Sequence, residues 1–148
     1  MGLLKISEAA SLGLHAMSVL ARQEHAMAMA QVAQILDVSQ AHLSKVCQRL
    51  VKAGLLDGQR GPKGGLTLAR PSNQIRLLDI YEAIEGEMEL CDCLLGRPMC
   101  HTQCVMGDVL QRVNREVSSY FRNTTLDQVS LSPEALANMN TLTKLEER

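Results

Sequence analysis

Apolar positions recur at helical spacing through most of the chain, broken by one short stretch of strand-like residues. Residues 7–22 predict a helix with Ser7 as N-cap, Glu8 in the first turn, and Leu12, Ala16, Val19 and Leu20 on one side. Met29 to Leu36 predicts a short helix with Val32, Ala33 and Leu36 inward, after which Leu36-Asp37-Val38 turns the chain. Ser39 then caps a helix that runs to about Ala53 and is stopped by Gly54. Leu43, Val46, Cys47 and Leu50 face its core side, which leaves Gln40, His42, Lys45, Gln48 and Arg49 to face outward. Two helices joined by a tight turn, the second presenting polar and basic residues, make a helix-turn-helix pattern.

Leu55-Leu56 and Leu66-Thr67-Leu68 are strand candidates on either side of Arg60-Gly61-Pro62-Lys63-Gly64-Gly65, a turn whose geometry is limited by its glycines and proline. Directly after a helix-turn-helix, this hairpin is expected to be a wing, with Arg60 and Lys63 where a wing meets the sugar-phosphate backbone or the minor groove. A nucleotide-binding glycine loop is a poor alternative, since neither phosphate-binding glycine pattern is present. A helix from about Leu77 to Glu85, carrying Ile80, Tyr81 and Ile84, ends at Gly86. Beyond a cysteine-rich interval, Val105, Val109, Val113, Val117 and Tyr120 with Phe121 trace one face of a helix of about five turns, long enough to pack on a second copy. The tail after Ser132 is expected to fray.

The fold class expected is mainly α: a winged helix-turn-helix with a small β-hairpin wing and a long C-terminal dimerisation helix. Its divisions are residues 1–86 for the DNA-binding unit, 87–104 for a cysteine-rich loop, 105–131 for the dimerisation helix and 132–148 for the tail. The 148 residues suit one domain, and 46% hydrophobic with 21% charged residues is a globular composition. No apolar run approaches the roughly 20 residues of a membrane span, and the N-terminus lacks a signal-type flank and core, so cytoplasmic residence is the default. The only aromatics, Tyr81, Tyr120 and Phe121, are too few for a base-stacking platform, which disfavours single-strand and RNA readers.

The net charge of −1 conceals segregation. From His42 to Arg76 the chain carries Lys45, Arg49, Lys52, Arg60, Lys63, Arg70 and Arg76 against one acid, Asp57. Asp79, Glu82, Glu85, Glu87, Glu89 and Asp92 follow with no intervening cation. The acidic stretch reads as a solvated face; the basic one, coinciding with the helix-turn-helix and the wing, points to DNA phosphates.

Four of the five cysteines, Cys91, Cys93, Cys100 and Cys104, are separated by one, six and three residues. Disulfide scaffolding suits neither the compartment nor a chain with a full-size core. The spacing fits zinc knuckles badly, whereas soft thiolates suit an iron-sulfur cluster. Cys47 reads as a small core hydrophobe. Four cysteines complete a cluster alone, or three do so with a further ligand from His101, Glu8 or His15. Both Glu8 and His15 also have ordinary readings, as a helix-dipole partner and a solvated surface residue.

The stretch Arg60-Gly61-Pro62-Lys63-Gly64-Gly65-Leu66 with Leu68 beyond it resembles the Rrf-two family of bacterial winged-helix transcription regulators, which includes the IscR, NsrR and RirA types. Leu50 and Ala53-Gly54-Leu55 before it, and Ile80 and Ala83-Ile84-Glu85-Gly86 after it, extend the resemblance over nearly the whole chain. The resemblance implies a homodimeric repressor that binds palindromic promoter DNA and holds an iron-sulfur cluster, two-iron or four-iron, whose state alters DNA affinity in response to iron, redox state or nitric oxide. It carries Cys93, Cys100 and Cys104 over as ligands, with Cys91 as the competing thiol. The family's histidine three residues beyond the third cysteine falls on Gly107 here. Glu8, at the place of a carboxylate that other members take from the partner's first helix, is therefore the fourth-ligand candidate ahead of His101. Ser39, Gln40, His42, Lys45 and Arg49 are the DNA candidates on the recognition helix, and Arg60 and Lys63 on the wing. Two alternatives stand beside this non-enzymatic reading: a cofactor-free regulator switched by cysteine oxidation, and a thiol-disulfide enzyme using Cys91-x-Cys93, whose acidic neighbours disfavour a reactive thiolate.

Overall fold

A computed structural model of the chain describes residues 6–90, Cys93, Cys104, Met106 and residues 108–130. It runs α1 (Glu8–Leu20), α2 (Met29–Ile35), α3 (Gln40–Lys52), β1 (Leu56–Gln59), β2 (Gly65–Leu68), a 3-10 turn (Ser72–Gln74), α4 (Leu77–Glu85), α5 (Val109–Asn123) and α6 (Leu126–Val129). Cys91, Cys100, His101, Gly107 and the tail 132–148 lie outside the described residues. The architecture is mainly helical, with one antiparallel hairpin as wing and a long helix towards the C-terminus.

Local chemistry explains the boundaries. Ser7 is extended, and its hydroxyl accepts from the Ala10 amide at 3.1 Å, satisfying one of the donors that open α1. At the far end of α3 the Leu55 amide donates to the Leu50 carbonyl and the Gly54 amide to that of Val51, both at 3.0 Å, with Gly54 at φ 71°. That is a Schellman closure, and buried Leu50 and Leu55 provide its apolar partner contact. Leu55 thus belongs to the turn, and the strand begins one residue later.

The expected inward residues of α1, Leu12, Ala16, Val19 and Leu20, are all buried. Leu12, Ala16 and Leu20 join Leu43, Val46 and Leu50 of α3, Ile80 and Ile84 of α4, and Leu66 of the wing around one core. α1, α3 and α4 meet around Gly13, where an added Cβ would lie 2.1 Å from the Ile84 Cδ1 and 3.4 Å from the Val46 Cγ1. The missing side chain at Gly13 leaves the space that the end of the Ile84 side chain occupies.

α5 departs from the sequence expectation in its face and its extent. The buried stripe is Leu110, Asn114 and Phe121, with Val117 half-buried; Val109 and Tyr120 are 39% and 52% exposed. Tyr81 of α4 and Phe121 of α5 meet edge to face, with ring centroids 5.8 Å apart. The helix is 15 residues long, about four turns, and Val105 lies outside the described residues. After Thr124 the chain folds back: the Leu77 amide donates to the Thr124 carbonyl at 3.0 Å and the Leu126 amide to that of Ile75 at 2.8 Å, and Leu126 is fully buried.

Candidate nucleic-acid interface and cysteine segment

The turn between α2 and α3 is set by Asp37 in the left-handed region at φ 52°, which returns the Val38 amide to the Ala33 carbonyl at 3.0 Å. Ser39 then opens α3, its hydroxyl accepting from the His42 amide at 3.2 Å. Leu43, Val46, Cys47 and Leu50 are buried beneath the helix, while Gln40, Lys45, Gln48 and Arg49 are exposed and His42 is half-buried. α3 therefore turns one face to the core and a polar, basic face to solvent, the form of a helix that enters a major groove.

Two of the outward residues have partners within the fold. The Arg49 guanidinium donates to the Ile84 carbonyl at 3.0 Å, near the C-terminal end of α4. The His42 Nδ1 lies 3.8 Å from a carboxylate oxygen of Glu8, whose side chain is 84% exposed. His15, another of the candidate ligands, donates through its Nδ1 to the Ser11 carbonyl of its own helix at 2.7 Å. Arg76, at the end of the basic stretch, reaches the Asp79 carboxylate at 2.8 Å. The cation run is thus partly committed within the protein, and the charge left outward on the hairpin turn is that of Arg60 and Lys63, both exposed.

The wing is built from an antiparallel register pairing Leu56 with Leu68 and Gln59 with Gly65. Each glycine of the Gly64-Gly65 pair has its own reason. A Cβ on Gly64 would fall 2.3 Å from the Gln59 carbonyl oxygen inside the turn, and one on Gly65 would fall 2.6 Å from the Met27 carbonyl oxygen. Met27 lies there because it forms a bridge with Leu66 on the far side of β2 from β1. The wing is consequently seated on the segment leading into α2, a contact between distant residues that no local sequence signal announces.

Of the cysteines, Cys93 is half-buried, Cys104 is exposed, and Cys47 is buried in the core, where desolvation pushes its thiol up to about 11. Among the described residues, no three His, Cys, Asp or Glu side chains gather as a metal site. Cys91, Cys100 and His101 of the expected ligand set lie outside those residues.

The Rrf2 family, described as an iron-dependent transcriptional regulator, matches residues 6–131. The chain belongs to the Rrf2 family. Among solved structures it is similar to the global cysteine regulator CymR of B. subtilis, with 26% identity and a TM-score of 0.72 over 86% of this chain and 96% of that one. It is likewise similar to the oxidized form of Staphylococcus aureus CymR, with 27% identity and a TM-score of 0.69 over 87% and 98% of the two chains. The HTH-type transcriptional regulator IscR of Pectobacterium atrosepticum is 26% identical over 116 residues, 77% of this chain and 70% of its own. Rrf2 proteins are DNA-binding transcriptional regulators, not enzymes, so the thiol-disulfide enzyme alternative is dropped. Among the described residues no helix is long and apolar enough to cross a membrane.

Proposed function

We propose that this Rrf2 protein is a homodimeric repressor of palindromic promoter DNA whose affinity is switched by the state of its cysteine segment through an iron-sulfur cluster. The observation that carries the reading is the position of that segment: it leaves the end of α4 that touches both α1 and the recognition helix α3. Gln40, His42 and Lys45 are assigned to base edges or phosphates, with Ser39 holding the start of their helix, while Arg60 and Lys63 clamp the backbone from the wing. Phosphate contacts of this kind supply sequence-independent affinity and a steep salt dependence.

Cys93 and Cys104 fit as soft donors outside the apolar core, and Cys47 does not, because burial holds it as the neutral thiol. Cys93, Cys100 and Cys104 would hold the cluster, with Cys91 competing. Glu8 from the first helix of the second copy is the carboxylate candidate; α1 is already capped by Ser7, so that carboxylate is not needed for the cap. When bound, such a cluster supplies a centre whose ligation changes with iron supply, redox state or nitric oxide. The half-exposed Val109 and Tyr120 flank of α5 supports the dimer. A coupling of roughly 1–3 kcal/mol between cluster and DNA corresponds to a 5- to 150-fold change in affinity.

A second reading, cofactor-free switching by cysteine oxidation, is favoured by the likeness to CymR, one structure of which is of an oxidized form. Anaerobic purification with iron and sulfide analysis and an absorption spectrum separates the two. The cluster reading expects bound iron and sulfide that are lost in serine variants of Cys93, Cys100 and Cys104, and a changed DNA affinity when the cluster is removed. Colourless, iron-free protein even after reconstitution, binding DNA in an oxidant-dependent way, selects the second reading.

A further inference from the structure

Three bonds converge on the last turn of α4. The Arg49 guanidinium of α3 donates to the Ile84 carbonyl at 3.0 Å, the Ser7 hydroxyl of α1 donates to the Glu85 carboxylate, and the Met88 amide turns to a Glu82 carboxylate oxygen at 3.4 Å. α4 has no basic residue of its own in this turn, where the helix dipole is negative and Glu85 adds a like charge. Arg49 supplies the missing cation from a neighbouring helix and satisfies a carbonyl at the helix end, the role that C-terminal basic residues ordinarily play within one helix. Ile84 itself packs over Gly13 of α1, its Cδ1 lying where a Cβ there would stand, with Val46 of α3 beside it. The end of α4 therefore meets α3 both through the Arg49 hydrogen bond and through the packing of Ile84 beside Val46.

We propose that Arg49 is a positioning residue rather than a DNA contact: its guanidinium fixes the recognition helix to the end of α4 from which the cysteine segment departs, so that the state of the segment is transmitted to the DNA-reading face through this bond. The transmission half of this inference rests on the cluster reading above; the positioning half stands on the geometry alone.

The test measures the affinity of the full-length protein for a labelled duplex selected from a random pool by the wild type, as a function of salt, for cluster-free protein and for protein loaded anaerobically with iron and sulfide. Wild type, Arg49→Ala, Arg49→Lys and Lys63→Ala are compared, with thermal unfolding to establish that each is folded. Removing one phosphate-binding cation lowers the salt slope by about one, so a change present in both copies of a homodimer lowers it by about two. Lys63→Ala is expected to show that decrease, and Arg49→Ala to keep the wild-type slope. The ratio of free to loaded affinities, about fivefold or more in the wild type, is expected to fall towards one in Arg49→Ala and to be partly restored in Arg49→Lys, which retains a donor. A slope lowered in Arg49→Ala as in Lys63→Ala overturns the positioning role, and a ratio unchanged from wild type overturns transmission. A wild-type ratio of one with iron bound defeats the cluster switch and transmission together, while the slope of Arg49→Ala still decides between positioning and phosphate binding. Should Arg49→Ala fail to fold, Arg49→Gln, which keeps a donor and most of the side-chain length without the charge, carries the slope comparison.

Discussion

Leu66 and Met27 exchange both of their backbone hydrogen bonds, at 2.8 and 3.1 Å, so that β2 is held between β1 and the segment entering α2. The exchange brings the Met27 backbone within 2.6 Å of where a Cβ on Gly65 would stand, and Gly65 itself has φ 157°. Gly65→Ala is therefore expected to cost about 1–3 kcal/mol through backbone strain and displaced pairing. Urea denaturation reads the loss, and DNA affinity is expected to fall with it because the wing that carries Arg60 and Lys63 is unseated. A variant as stable as wild type with unaltered affinity contradicts this account of the wing.

Gly13 makes the corresponding demand inside the helical core. Gly13→Val forces a branched side chain against Ile84 and Val46, and overpacking of this kind destabilises by about 1–3 kcal/mol. Gly13→Val combined with Ile84→Ala, which vacates the colliding atoms, is expected to cost less than the sum of the two single changes. Additive costs in that double-mutant cycle would mean that the junction yields elsewhere.

Acid sensitivity is expected at the start of α4. Burial raises the pKa of the Asp79 carboxyl, but hydrogen bonds and charge from Arg76 outweigh it, so the net direction is downward. The same carboxylate accepts from the Arg76 amide at 2.9 Å, closing the first turn of the helix. A folded pKa below the unfolded one stabilises the protein above the unfolded value, about 3.9 for an aspartate, and this stabilisation is lost as pH falls through the folded value. The stability difference between wild type and Asp79→Asn is thus predicted to be level above about pH 5 and to shrink on acidification below about pH 4. Denaturation curves across that range check it; a difference that grows on acidification has the wrong sign.

Cys47 and Cys104 should separate cleanly under alkylation. The thiolate is the reactive form, and the buried Cys47 thiol, pushed up to about 11, supplies almost none of it at mildly alkaline pH. Iodoacetamide applied to cluster-free, folded protein is expected to modify exposed Cys104 first and Cys47 only after denaturant is added. Peptide mass spectrometry distinguishes them, and early labelling of Cys47 would contradict its place in the core.

The elements that carry DNA recognition are legible in the sequence because their signals are local. Ser7 and Ser39 as caps, Gly54 and Gly86 as stops, and Leu43, Val46, Cys47 and Leu50 as the inward face of α3 all act within a turn or two of chain. The face of α5 differs from the valine pattern for a geometric reason. A chain of positions four apart drifts by about 40° per step round a helix of 3.6 residues per turn, so Val109 and Phe121 end up about 120° apart. The true inward stripe passes through Asn114, whose polarity hides it from a pattern of valines. Arg49 at the end of α4, Glu8 beside His42, and Met27 beside Leu66 depend on packing between segments far apart in sequence. The outward position of a residue type says nothing of such partners, which is why Arg49 reads in the sequence as one more cation facing DNA.

The Tyr81–Phe121 ring contact also bears on the intervening cysteines. It fastens α4 to α5, and the Ile75–Leu126 pairing fastens the chain again beyond α5, so the helices on either side of the interval from Gly86 to Asp108 are packed on one another. The entropy of closing that loop is met when the protein folds. Any bridge between thiols of that interval would pull on two helices that folding has already brought together.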